Sequence, residues 1–264
     1  MGKIVSIHSF RGGTGKSNTT ANLASQVAMT GKRVGVVDTD IQSPGIHVLF
    51  GLDANSMGKT LNDFLYGKCE IAEVAYPVGE HAAAEADIAP GRAQLAGKDL
   101  FLIPSSIRGR EISRVLREGY DVGRLNEGFQ TLIKNINLDY LFIDTHPGLN
   151  EETLLSIAIS DILLLILRPD NQDFQGTAVT VDIARSLDVS NLLLMVNKAV
   201  PDRYDYEDLK EQVETAYKAP LTGILPLSFD MADNASKDIF SLRYPDHAWS
   251  VELRKVAQAV MDTK

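Results

Sequence analysis

The chain has 264 residues, 44% hydrophobic and 23% charged, with a net charge of -9 and a single cysteine, Cys69. That is the make-up of a folded soluble protein with a sizeable core. It excludes a disulfide framework, and any iron–sulfur or structural zinc site built from this chain's thiols alone. An evenly acidic surface repels nucleic acid and anionic lipid. The longest apolar run, Ile162 to Leu167, is far short of the ~20 residues that cross a bilayer. The N-terminus opens on a strand, with no cationic flank, apolar stretch and cleavage site. With the lone cysteine, this leads us to expect a cytoplasmic protein.

In chain order, continuous apolar runs occur at Ile4–Ile7, Val34–Val37, Leu100–Ile103, Tyr140–Ile143, Ile162–Leu167, Leu192–Val196 and Leu221–Leu225. Strands buried on both faces of a parallel sheet read this way. Helical patterns lie between most of them. Segment 17–30 is alanine-rich and ends at Gly31, a C-cap signal. In 205–218, Leu209, Val213, Ala216 and Tyr217 share one helical face. The pattern predicts an α/β fold, a doubly wound, mostly parallel sheet with helices on both faces, in one domain over 1–264. Residues 52–98 break the rhythm. Apart from a short helix near Thr60–Tyr66, they read as a loop-rich peripheral insert, expected to be mobile around GEHAAAEADIAPGRAQLAG.

The first chemical motif is FRGGTGKS, Phe10 to Ser17, between the first strand and the first helix. Gly12, Gly13 and Gly15 can take backbone angles closed to other residues and turn their N–H groups around phosphate oxygens. The helix N-terminus adds partial positive charge. Lys16 supplies an ammonium for outer phosphates, and Ser17 a hydroxyl for Mg²⁺. Thr14 and Asn18 complete the candidate binding set. Phe10 departs from the usual G-x-x-x-x-G-K-[ST], which begins with glycine. Next, VVDTDIQSPG ends the second strand, with Asp38 and Asp40 flanking Thr39. They suit a carboxylate that orients water or holds Mg²⁺ beside a γ-phosphate, and also a plain helix cap. Arg110, Arg114 and Arg117 then fall on one helical face, with Arg108 just before them. They read either as a contact for DNA phosphates or as a solvated face paired with Glu111 and Glu118. YLFIDTHPG closes a later strand at Asp144, which can accept hydrogen bonds from Mg²⁺-bound water or from Ser17. His146 reads as a satisfied polar group.

FRGGTGKS resembles the deviant Walker A loop, [x]-K-G-G-x-G-K-[ST], of the ParA/MinD superfamily, in which the first position need not be glycine. The D-x-D at Asp38–Asp40 and the strand-end acid Asp144 match its further motifs, and the resemblance covers most of the chain. It implies a P-loop NTPase of SIMIBI-type architecture that binds ATP and Mg²⁺. By the same resemblance Asp40 orients water, Asp38 supports it, and Asp144 is the Walker B acid. Asn197, in LLLMVNKAV, would hold adenine, and Pro226 would line the other side of the base. The family's signature lysine, which reaches onto a partner's nucleotide, is Arg11 here. The resemblance thus implies an ATP-dependent homodimer and a slow ATPase stimulated by a partner protein. Its task would be to partition or position a plasmid, chromosome or cell structure, with non-specific DNA binding through Arg108, Arg110, Arg114 and Arg117 open. The alternatives are a hydrolysis-poor ATP-dependent scaffold and a metabolic ligase of the same fold. The cysteine-dependent members are excluded. The last helix, with Leu253, Val256, Ala257, Val260 and Met261 on one face, reads as core packing rather than a membrane anchor.

Overall fold

All seven apolar runs are strands of one sheet. The computed structural model describes residues 2–264. β1 (Lys3–His8) passes through the glycine loop into α1 (Lys16–Met29). After β2 (Val34–Asp38) come the short helices α2 (Ile46–Leu49) and α3 (Leu61–Leu65) and a 3-10 turn at Ile71–Val74. The two-residue strand β3 (Tyr76–Pro77) and the helices α4 (Val78–Ala84) and α5 (Pro90–Ala93) follow. β4 (Leu100–Ile103) then leads to α6 (Gly109–Glu118) and α7 (Val122–Asn135), and β5 (Tyr140–Asp144) to α8 (Glu151–Ala158). β6 (Ile162–Leu167), α9 (Asn171–Ser186), β7 (Leu192–Ala199), α10 (Tyr206–Tyr217) and β8 (Leu221–Pro226) alternate. The chain finishes with α11 (Phe229–Asn234), α12 (Phe240–Arg243) and α13 (Ala248–Asp262).

The strand order is β3-β4-β2-β5-β1-β6-β7-β8, and every pairing is parallel except β3 with β4. Parallel crossovers put helices on both faces. Side chains alternate accordingly. Val5 and Ile7 face α1 and α13, whereas Ile4 faces α7, in the core around Phe129 and Leu132. A third cluster packs Leu163, Leu165 and Leu167 of β6 against α9 and α10. In α10 the buried residues are Leu209, Val213 and Tyr217, while Ala216 of the expected face is exposed. α13 turns Leu253, Val256, Ala257 and Val260 into the core, with Trp249. No helix among the described residues is long and apolar enough to cross a membrane.

The segment 52–98 corrects the expectation of a loose, loop-rich insert. It supplies the antiparallel edge strand and a series of short helices, and it buries Leu52, Met57, Val78 and Leu95 in the main core. The capping box of Thr60 and Asp63 starts α3. α5 is fastened from a distance. Pro90 opens it, and the fully buried Asp238 accepts from Gly91 N and Arg92 N, each at 2.8 Å, and from Ile239 N at 2.8 Å. One carboxylate thus satisfies the start of α5 and ties it to the segment before α12. Asp238→Ala strands those donors and is expected to cost about 3 kcal/mol. Chemical denaturation measures the loss, and faster proteolysis within 85–92 locates it; unchanged stability and cleavage would show that the tie carries nothing.

Candidate active site

Three strands end at one level. Asp144, the last residue of β5, is in register with Ile7 of β1 and with Asp38 of β2. Ligands in open α/β sheets bind outside such carboxyl ends. Asp38 and Asp144 are 0% and 1% exposed, and Lys16, at the start of α1, is 8% exposed. Burial pushes both carboxyls above their ordinary values. For Asp38 the neighbouring Asp144 and Asp40 add to the rise, and the shift is large. For Asp144, the nearby Lys16 and Ser17 oppose it. Thr20 Oγ1 lies 3.3 Å from Asp144 Oδ1, and Thr39 donates its N–H and hydroxyl to Asp144 O, each at 3.0 Å.

Asp38 does not face outward. Its two oxygens accept from Asp40 N at 3.0 Å and Gly45 N at 3.2 Å, so it folds the loop that follows β2. Asp40 rides on that loop and is half-buried. Its Oδ1 accepts from Ser43 N at 3.1 Å and stands 3.8 Å from His146 Nε2. Burial raises its carboxyl, while His146 and Lys16 pull it down. His146 thus brings the loop after β5 close to the loop after β2. Pro147 of the same loop sits beside Gly12.

The glycine loop is held from several sides. Gly13 and Gly15 have φ of +78° and +93°, and Gly15 N-caps α1 in the left-handed region. Nothing lies within 4 Å of a Cβ placed on Gly13, which leaves its outer side open to a ligand. Inside the loop, Thr14 Oγ1 donates to Ser9 Oγ at 3.0 Å, and Ser9 Oγ to Arg11 O at 2.8 Å. Phe10, the departure from the usual pattern, has a structural reason. Its ring lies on α9 at Gly176, where an added Cβ would come within 2.1 Å of the ring. Arg11 Nη1 donates to Gln172 Oε1 in the first turn of the same helix.

Beside the loop opens a cleft of ≈ 310 Å³, lined by Gly15, Asn18, Asn197, Pro226, Met231 and Trp249 among others. Asn197 and Pro226 both line this cleft. Asn197 is more committed than expected. Its Nδ2 donates to Thr14 O at 2.8 Å, and its Oδ1 accepts from Lys198 N at 2.9 Å. One N–H thus fastens the glycine loop to β7, and the amide keeps its second N–H and the oxygen's second lone pair. The arginines predicted for DNA are partly occupied. Arg108 stands 3.7 Å from Glu111, and Arg114 pairs with Glu118 at 2.7 Å while stacking 3.8 Å over Tyr66.

A profile of the AAA domain family matches residues 2–194. The chain belongs to the AAA domain family. An uncharacterized ATP-binding protein of Methanocaldococcus jannaschii is 24% identical over the whole of this AAA domain chain and 89% of its own length. The cell division ATPase MinD of Pyrococcus furiosus superposes with a TM-score of 0.80 at 20% identity, covering 100% of both chains. The septum site-determining protein MinD of Pyrococcus horikoshii, complexed with Mg-ADP, gives 0.77 at 20% identity over 99% of this chain and 97% of its own. The fold is that of these P-loop proteins.

Three residues of the site escape sequence reasoning. Lys198 adopts φ +61° and donates Nζ to Gly13 O at 2.7 Å, placing a second ammonium at the loop. Its signal was only its place after Asn197. Gln172 has no motif. His8 sits fully buried under the loop. Thr145 Oγ1 donates to Ile7 O at 2.9 Å, so its oxygen accepts from His8 Nδ1–H at 2.8 Å. His8 Nε2 is then a bare acceptor with no partner among the described residues. Burial, Lys16 and His146 hold the ring's pKa down to about 3, so it stays neutral. The carboxyl shifts give a sign. A raised folded pKa leaves Asp144 favouring the protonated form, so its stability cost grows as pH rises above 3.8. Asp144→Asn is expected to stabilise the ligand-free fold, and more at pH 8 than at pH 4, close to the ordinary carboxylate value. Thermal unfolding at the two pH values checks this; a gain that shrinks toward pH 8 would contradict the assignment.

Proposed function

We propose that this AAA domain chain is an ATP-driven switch of the ParA/MinD type. It binds ATP with Mg²⁺, closes into a dimer around the nucleotide, hydrolyses it slowly under the control of a partner protein, and so places a cargo at a cellular site. The observation that carries this reading is the junction of the left-handed glycine loop, the buried Lys16 and the strand-end carboxylates Asp38 and Asp144 at one sheet edge. Buried carboxylates with raised pKa call for a cation beyond Lys16. The donor set fits Mg²⁺: Ser17 by its hydroxyl, and Asp40 and Asp144 by their carboxylates. When bound, the ion would neutralise charge on the phosphate oxygens.

The roles follow from placement. The N–H groups of Gly12, Gly13, Thr14 and Gly15 surround the phosphates, and Lys16 meets their outer charge. Asp40, half-buried on the loop that Asp38 holds, orients the attacking water. Asn18, Asn197 and Pro226 border the base in the cleft beside the loop. Arg11 acts in trans on the partner's phosphates, as a planar fork where a lysine would be a point charge. The MinD proteins that share the fold support a site-placing task for the dimer. Contact with DNA through Arg108, Arg110, Arg114 and Arg117 has less support, because Glu111 and Glu118 stand among them.

Calorimetry with magnesium ATP is expected to give saturable binding, weakened about 100-fold by Lys16→Ala. Absence of any heat with the wild-type chain would end the nucleotide reading. Light scattering is expected to show a dimer with ATP, lost in Arg11→Ala while nucleotide affinity is largely kept. An unchanged dimer constant and unchanged turnover in that variant would remove the trans role. An ATP-dependent dimer with no turnover, even beside a partner, would move the assignment to a scaffold.

A further inference from the structure

A second cleft, of ≈ 530 Å³, lies between α3 and α6, away from the phosphate loop. Lys68, Arg110, Arg114 and Arg117 line it, with Glu111 and Glu118 as the acidic lining residues. Lys68 is paired with Asp63 at 2.7 Å, so on a chain of net charge -9 the excess of cations here lies in the arginines. Arg114 is fixed by its stack on Tyr66 and its pair with Glu118. Arg110 and Arg117 are exposed at the rim.

The floor is the deciding feature. Asn62 is 1% exposed, and its Oδ1 accepts from Ser106 N at 2.8 Å. That bond fixes the amide orientation, since a flipped amide would set N–H against N–H. Nδ2 is thereby left as a buried donor without a partner, in a residue that lines the cleft. An unmet buried donor is costly. Glu111 Oε2 is a buried acceptor without a partner at the same cleft. The cleft therefore lacks an acceptor for Asn62, Arg110 and Arg117, and a donor for Glu111.

We infer that this cleft binds a small phosphate monoester carrying hydroxyl groups, its phosphate on Asn62 Nδ2 and the guanidinium groups of Arg110 and Arg117, a hydroxyl donating to Glu111. Guanidinium forks match phosphate oxygens. The volume falls within the range of small-molecule sites. The interleaved Glu111 and Glu118 oppose a continuous run of DNA phosphates. The loop that provides Ser106 N also provides Ser105, whose hydroxyl donates to Asp38 O at 2.7 Å, so cleft floor and phosphate-site loop share a support. The inference does not require the phosphate loop to bind nucleotide.

The test titrates the full chain with inorganic phosphate and with ribose 5-phosphate, followed by calorimetry and by NMR of the arginine side chains. Each titration is run with and without saturating magnesium AMPPNP, which fills the phosphate loop. Both anions are expected to saturate in either condition, with ribose 5-phosphate the tighter. Asn62→Asp keeps the acceptor for Ser106 N but replaces the donor with a negative charge. It is expected to weaken both anions about tenfold or more, as is the surface double variant Arg110→Ala/Arg117→Ala, which tests the site even if Asn62→Asp fails to fold. Absence of saturable binding overturns the proposal. So does binding abolished by AMPPNP, which would locate it at the phosphate loop, or unchanged affinity in the double variant. Salt-sensitive binding of duplex DNA that the double variant loses, with no response to either small anion, would replace the proposal with a nucleic-acid surface.

Discussion

The burial of like charges at the end of the sheet is the constraint on which the site depends. Asp38 and Asp144 sit side by side on neighbouring strands, both out of water, with Lys16 as the near cation. Burial favours their protonated forms, and each would repel the other if both ionised. A fold does not gain stability from such an arrangement. Part of the cost is offset by hydrogen bonds to the carboxylates themselves: Asp38 accepts two N–H groups and so closes the loop bearing Asp40, and Asp144 accepts from Thr20. The result is a pre-set concentration of negative charge beside open backbone amides, which a cation bound with a phosphate can relieve.

Around this centre the structure fastens one loop to many elements. The glycine loop is tied to β7 by Asn197 and Lys198, to itself by Ser9 and Thr14, and to α9 through Phe10 on Gly176 and Arg11 on Gln172. Glycines give the loop its path but no stiffness of their own. Stiffness comes from these ties, so a phosphate meets amides that need little reordering. The loops after β2 and β5 approach to 3.8 Å at Asp40 and His146, and the second of them turns at Gly148, whose φ is +86°.

Much of this was legible because the strongest signals are local. The seven long strands are continuous apolar runs, and the phosphate loop, Asp38, Asp40 and Asp144 stand directly at their ends. What was not legible is long-range or very short. β3 has two residues, and α5 has four and owes its start to Asp238, almost 150 positions away; no pattern within 52–98 reveals that carboxylate. The same limit hid Gln172, Lys198 and the unmet donor of Asn62. It also explains Phe10: read alone it is a defect in a motif, and only Gly176 on a distant helix shows the space made for its ring. The spacing of Arg110, Arg114 and Arg117 was visible, but the cleft they border depends on α3, from the segment whose sequence carries the weakest periodicity.

Arg11 links the loop, the helix behind it and the proposed partner. Within one chain its guanidinium is engaged by a neutral amide, Gln172, with no carboxylate ion pair among the described residues. That bond is assisted by one charge, whereas one from the guanidinium to a phosphate oxygen pairs two opposite charges and can be bidentate. In the proposed dimer, exchanging Gln172 for the partner's phosphate is therefore downhill, and it is downhill only when a phosphate is present across the interface. An aspartate at position 172 would hold the arginine too firmly for that exchange, and a leucine would leave it free whether or not nucleotide is bound. A glutamine sets an intermediate threshold, and it places the cost of releasing Arg11 on the same helix, α9, whose Gly176 carries the Phe10 ring. In the proposed dimer, release of Arg11 and any shift of the Phe10 ring would both act on α9, so one helix would couple the loop to the partner.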